Sequence, residues 1–271
     1  MRSRGKRRKL KAVATPEFLN REFPAIRKKV FPLGLSATFG LDEAGVRQAL
    51  ERMQYVFLTP RMPWNAVREA LARDRERYAI VAGPTLGYFP GACRRAVEKV
   101  LRRLHTDYLD VLQLFWLGTM SAFSGPVQEE MERLRNEGKV RALGASIHDR
   151  PRAGRLAADS ILDVLMIRYN AAHPGAEQDV FPHLAWRKPS VVAYTATSHR
   201  KLLQPMKGHA GRTPTAGDCY RFCLTSPHVA VVLTGPRTVA ELRENLAAVE
   251  KGPLDAAELD WMRNFGQLVH G

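Results

Sequence analysis

The sequence predicts an α/β chain that closes into a single (β/α)8 barrel. Three observations predict it. Short runs rich in Val, Ile and Leu recur eight times, helical spacing fills the stretches between them, and no long linker or composition break divides the chain. Such runs are too short for ordinary helices and suit strands buried on both faces, as in a parallel sheet with helices outside. The 271 residues are enough for one sizeable core, and 45% hydrophobic with 25% charged residues is the balance of an ordinary folded protein.

The elements follow in order. VFPLGLSATFG reads as a first strand and turn, and LDEAGVRQALERM then spaces Ala44, Val46, Ala49, Leu50 and Met53 along one helical face. QYVFLTP is the second strand, stopped by Pro60, with WNAVREALARD as its helix. RYAIVAG is the third, and PGACRRAVEKVLRRLH its helix, with Pro90 suited to the first turn. DVLQLFW is the fourth, followed by VQEEMERLRNEGK with Gly138 as a stop. VRALGAS and ILDVLMIRYN are the fifth and sixth, joined through DRPRAGRLAAD; SVVAYTA and HVAVVLTG complete the eight. Thr238 and Glu241 stand at the spacing of a capping box before the last barrel helix, TVAELRENLAAVE. The expected organisation is a basic tail over residues 1–29, a barrel over 30–250 and a short helical extension over 251–271. A doubly wound open sheet is the alternative, weakened because LSATFG is not an intact GxGxxG fingerprint.

The formal charge of +15 is unevenly placed: MRSRGKRRKLK opens the chain, and Arg27, Lys28 and Lys29 follow. The Arg2–Lys11 run is a candidate contact for an anionic partner, or simply a solvated segment. No zinc finger or helix-turn-helix signature accompanies it. No apolar run approaches the ~20 residues that span a bilayer, so membrane insertion is not expected. Cys93, Cys219 and Cys223 supply no metal-ligand spacing and read as buried free thiols, fitting a reducing, cytoplasmic setting. No metal site is expected, and the oligomeric state is not legible.

In such a TIM barrel, ligand-facing residues lie just after the strands. The candidate mouth is Thr59, Arg61, Gly83, Thr85, Phe115, Trp116, Ser146, His148, Asn170, His173, Tyr194, Thr195, Gly235 and Arg237. The last two precede a helix N-terminus, where a phosphate is favoured.

GKVRALGASIH, MIRYNAAHPGAEQDVFPHL, VVAYTATS and VVLTGPRTVAELRENLAAVE, with DYLDVLQLFW before them, resemble successive parts of an aldo-keto reductase. The resemblance runs from about Leu33 to Glu250. It implies a barrel that binds a nicotinamide cofactor, usually NADPH, and moves hydride between it and a carbonyl or alcohol. That chemistry ordinarily uses a tyrosine acid/base with a lysine, an aspartate and a histidine. By the resemblance these four positions hold Leu58 for the aspartate, Pro63 for the tyrosine, the Ala82–Gly83 pair for the threonine–lysine pair, and Phe115 for the histidine. No residue is therefore assigned a catalytic role; Tyr169, Tyr194 and His148 are the substitutes considered, and a proton donor's loss costs on the order of 10²–10⁴-fold.

The NADP(H) contacts implied by resemblance are Ser146 to the carboxamide, Tyr194 stacked on the nicotinamide, Gly235 and Arg237 at the phosphate, and Glu244 with Asn245 toward the adenosine. Ile147 replaces the usual neighbouring asparagine, Met166 a glutamine, and Glu241 brings a negative charge where a basic or neutral group is common. Two functions follow as expectations: an NADP(H)-dependent oxidoreductase, or an inactive barrel reused for binding, regulation or assembly. The short stretch from Ala196 to Arg212 predicts a shallow, exposed pocket.

Overall fold

The computed structural model describes residues 14–84, 87, 89–117, 123–206 and 211–270. The Arg2–Lys11 run and Thr85 lie outside them. The described chain begins with a short helix α1 (Pro16–Leu19) and an antiparallel hairpin, β1 (Arg21–Phe23) and β2 (Lys28–Val30). Eight parallel strands then close a barrel: β3 (Leu33–Leu35), β4 (Tyr55–Phe57), β5 (Ala79–Ala82), β6 (Leu109–Leu117), β7 (Val140–Ile147), β8 (Val164–Arg168), β9 (Ser190–Tyr194) and β10 (Val229–Thr234). Neighbours follow chain order, and β10 pairs with β3 to seal the cylinder.

Outside lie α2 (Glu43–Leu50), α3 (Trp64–Arg73), α4 (Pro90–Leu104), α5 (Gly125–Asn136), α6 (Arg150–Ala158), the short α7 (Ala176–Asp179), α8 (Ala216–Thr225) and α9 (Val239–Val249). A last helix, α10 (Ala256–His270), packs on α8 and on the 3-10 turn Lys201–Leu203, and brings His270 to 5.0 Å from His173, ring to ring. No described helix is long and apolar enough to cross a membrane.

Side-chain alternation divides the apolar residues into two layers. Tyr55, Val81, Val111, Val164, Met166 and Val192 fill the barrel, whereas Val56, Ile80, Leu112, Leu165 and Val191 pack outward under the helices. Cys93, Cys219 and Cys223 are free and buried in the outer layer, as their spacing suggested.

One boundary differs from the sequence expectation. Residues 16–29, assigned there to the basic tail, are folded as α1 and the hairpin. Phe23 and Ile26 enter the barrel interior from below, and Phe23 meets the Tyr55 ring at 5.4 Å. One of the charges read as tail is an anchor: Lys28 Nζ donates to Asp110 Oδ1 at 2.8 Å and to the Tyr78 carbonyl at 2.6 Å. Arg21 donates to the carbonyls of Leu224, Ser226 and Val229, tying the hairpin to the start of β10.

Candidate functional site

The open end of the barrel is built by the strand C-termini and the loops that follow them. Its floor is apolar: Phe57, Met166, Tyr194 and Leu233 close the top of the interior layer, and Phe115 meets Phe57 edge to face at 5.5 Å. Register sets the rest. Ser146 lies opposite Met166, and Arg168 opposite Tyr194. Two residues beyond Ser146, His148 falls on the same side. His148, Arg168 and Tyr194 therefore stand side by side on β7, β8 and β9.

The Tyr194 hydroxyl is 3.0 Å from His148 Nδ1 and 3.1 Å from Nε2, with the rings edge to face. Burial pushes the Tyr194 phenol up to about 12, with Arg168 pulling the other way. Burial, then the charges of Arg168 and His199, lowers the His148 imidazole below its usual value. Near neutral pH the pair is thus a protonated phenol beside a neutral imidazole.

Ser146 is buried, and its Oγ accepts the Trp116 backbone N–H at 2.7 Å. That bond uses a lone pair and leaves the hydroxyl proton free to donate. Trp116 has φ of 54°, which turns its indole outward. Asn170 is fully buried; its amide donates to the Thr195 carbonyl at 2.8 Å, and its Oδ1 accepts the His173 N–H at 2.9 Å. It holds the two loops in place. Thr38 Oγ1 donates to Thr59 Oγ1 at 2.8 Å across the loops after β3 and β4.

At the other side of the mouth, Gly235 lies under the Phe39 ring, and a Cβ there would stand 2.5 Å from it. Arg237 is exposed and already engaged. Its guanidinium meets Glu241 Oε1 at 3.1 Å, and its backbone N–H donates to Glu241 Oε2 at 2.8 Å. Glu241 therefore does not point away from the cation. The capping box read from Thr238 and Glu241 is half formed: Glu241 N–H reaches Thr238 Oγ1 at 3.1 Å, but the carboxylate takes the N–H of Arg237. Glu244 is exposed on α9. Asn245 is turned into the wall, where its amide donates to Thr234 Oγ1 at 3.2 Å.

The four positions linked by resemblance to proton transfer are occupied by packing groups. Leu58 is buried, and Pro63 is the residue before α3. A Cβ on Gly83 would stand 1.7 Å from the Gln113 carbonyl oxygen, so no side chain fits there. The Trp64 indole donates to the Thr59 carbonyl at 3.2 Å. Tyr169, read as close to the mouth, points the other way. Its hydroxyl donates to Glu177 Oε1 at 2.7 Å in the helix layer, because one position beyond Arg168 reverses the side. Arg168 itself was not among the candidates, although counting two positions from Met166 puts it at the mouth.

Two grooves open elsewhere. One of about 660 Å³ runs beside the hairpin past Phe18, Arg21, Leu184 and His228, and one of about 470 Å³ lies between α7 and α8 past Glu177, Phe222 and Arg263. Neither touches His148, Arg168 or Tyr194. We place the site at the mouth because the exposed polar groups of three strand ends converge there, whereas the larger groove lies at the barrel's lower end.

Residues 66–215 match the Aldo/keto reductase family. A methylglyoxal reductase of Escherichia coli, YeaE, is 34% identical over 176 residues, covering 60% of this chain and 61% of that protein. This chain thus matches less than two thirds of that relative's length. Among solved structures, an aldo-keto reductase from Bacillus halodurans in its holo form superposes with a TM-score of 0.74 at 21% identity, covering 91% of this chain and 95% of that one. A Klebsiella pneumoniae aldo/keto reductase in complex with NADP and acetate gives 0.71 at 22%, covering 95% and 96%. At these identities the two superpositions speak for the barrel alone.

Proposed function

The chain belongs to the aldo/keto reductase family, and from that premise we propose that it is an NADP(H)-dependent oxidoreductase in which Tyr194 and His148 handle the proton. The observation that carries this is the Tyr194–His148 contact at the mouth, at 3.0 Å. A bound nicotinamide would supply or accept the hydride.

The residues fit such a group at one end and, after one adjustment, at the other. Ser146 offers a free hydroxyl proton to a carboxamide, and Tyr194 offers an aromatic face on an apolar floor. Gly235, Arg237 and Glu244 would serve the phosphate and adenosine end. There Arg237 must first leave Glu241; the pair is largely exposed, so parting it costs only about 0–1 kcal/mol. Asn245 would support that end from behind, by fixing β10 to α9.

In the oxidation of an alcohol, the hydroxyl proton would pass to the Tyr194 oxygen as the Tyr194 proton passes to neutral His148. Reduction of a carbonyl runs the same transfers backward. The test is turnover of aldehydes, quinones and hydroxy compounds by wild type and Tyr194→Phe. A loss of about 10²-fold or more in kcat, with KM for the nucleotide little changed, is the expected result. Equal kcat in the two would remove Tyr194 from the chemistry.

Gly83 favours a second reading. Its clearance of 1.7 Å to the Gln113 carbonyl closes the lysine position to any side chain. A barrel that binds without turnover follows if nucleotide binds and no substrate reacts. The Arg2–Lys11 run is a separate proposal, a contact for an anionic partner. Removing the first eleven residues should abolish polyanion binding and leave barrel stability unchanged.

A further inference from the structure

Arg168 is a half-buried cation without a polar partner among the described residues. Arg21, Arg75, Arg94, Arg135, Arg221 and Arg263 are likewise at least partly buried, and each donates to carbonyls or carboxylates. Among the described residues Arg168 has no ion pair or hydrogen bond. The stretches outside them contain no Asp or Glu side chain. Nearby acids are committed: Asp149 caps α6 through the Arg152 N–H at 2.7 Å, Glu177 holds Arg263, and Glu241 holds Arg237.

Its position is defined by three strands. Val164 and Met166 enter the interior layer and Leu165 and Ile167 the outer one, so Arg168 continues the inward set at the open end. Its register partner is Tyr194, and its charge acts on His148, His173 and Tyr194. A guanidinium cannot shed its proton, and leaving it partly desolvated and unpaired is unfavourable. A planar two-oxygen anion matches it, and the neutral His148 ring carries one N–H that can donate alongside.

We propose that Arg168, flanked by His148 and Tyr194, is a carboxylate-binding subsite, and that the substrate of the mouth is an acid bearing a carbonyl or hydroxyl group. The substrate class rests on the oxidoreductase reading above; the anion site does not. The probes are pyruvate, its uncharged methyl ester and inorganic phosphate, titrated by calorimetry into wild type, Arg168→Gln and Arg168→Lys without nucleotide.

Wild type should bind pyruvate at millimolar concentration and the ester at least about tenfold more weakly. Arg168→Gln should weaken pyruvate about tenfold or more, and Arg168→Lys should retain part of the affinity. Thermal unfolding checks that each variant is folded; if Arg168→Gln is not, the ester comparison and Arg168→Lys decide. Equal binding of pyruvate and ester, unchanged binding in Arg168→Gln, or no pyruvate binding by wild type at about 10 mM would overturn the subsite. Phosphate binding more tightly than pyruvate would overturn the carboxylate assignment. Pyruvate selectivity in a protein that fails to bind NADPH would leave the subsite standing and remove the oxidoreductase reading.

Discussion

The two ends of the barrel treat charge in opposite ways. At the lower end Asp110 is completely buried and fully answered, accepting from Lys28 at 2.8 Å, Arg75 at 2.8 Å and the Ile80 N–H at 2.9 Å. Arg75 and Arg141 each lie 3.8 Å from the Tyr108 ring centroid, and Arg141 also pairs with Glu76 at 2.7 Å. At the upper end Arg168 is unpaired, and Trp116 and Phe39 are each 63% exposed. Five of the eight described non-glycine residues with positive φ lie there too, Trp116, Thr195, Ser198, His199 and Arg200, against Arg27, His105 and Lys188 at the other end. Strain and unspent charge collect where a ligand can use them; the closed network at the other end holds the cylinder together.

The contrast breaks most easily at Asp110. Asp110→Ala strands two partly buried cations and should cost about 3–5 kcal/mol in urea unfolding, with binding at the mouth preserved in the folded fraction. A change below about 1 kcal/mol would show that the lower network contributes little. Next in size is Tyr194→Phe, which removes a hydroxyl from an open rim. It should leave stability within about 1 kcal/mol while lowering turnover about 10²-fold or more.

The two ends should also respond to different pH ranges. Arg141 first, then the Tyr108 hydroxyl, holds Glu76 down to about 2. The unfolded chain therefore takes up this proton first as pH falls. The stability Glu76 contributes is present above about 4.5 and is lost as pH drops toward 2. His148 is lowered below 6.5, so alcohol oxidation, which needs its neutral form, should rise with pH through an inflection below 6.5. Carbonyl reduction should show the opposite slope. A rate inflection absent from His148→Gln and present in wild type ties it to this ring. The smallest effect belongs to Glu241→Gln, which releases Arg237. NADPH affinity should rise up to about fivefold relative to NADH, read by competitive titration.

The barrel was legible because its signal is repeated. Val, Ile and Leu runs followed by helical faces recur eight times, and no single misread run hides the pattern. The hairpin was not, since β1 and β2 are three residues each and their charged members look solvated until Asp110, eighty residues on, supplies the partner. Ser146, His148 and Tyr194 were readable as strand ends. Arg168 and Tyr169 needed side-chain parity: adjacent in sequence, one stands beside Tyr194 at the mouth and the other packs its ring on Phe222 of α8. Asn245 was placed by likeness alone, and only its hydrogen bond to Thr234 shows that the amide is spent inside the wall.

The oxidoreductase reading depends on a nicotinamide nucleotide held across the mouth, and Trp116 at the rim provides a built-in reporter. Purified protein would be titrated with NADPH and with NADP⁺ while tryptophan emission and heat are followed. Saturable binding in the micromolar range, shifted by Tyr194→Ala and by Arg237→Ala, is the expected result. No binding at about 1 mM nucleotide would contradict it and leave the barrel as a binding scaffold for something else.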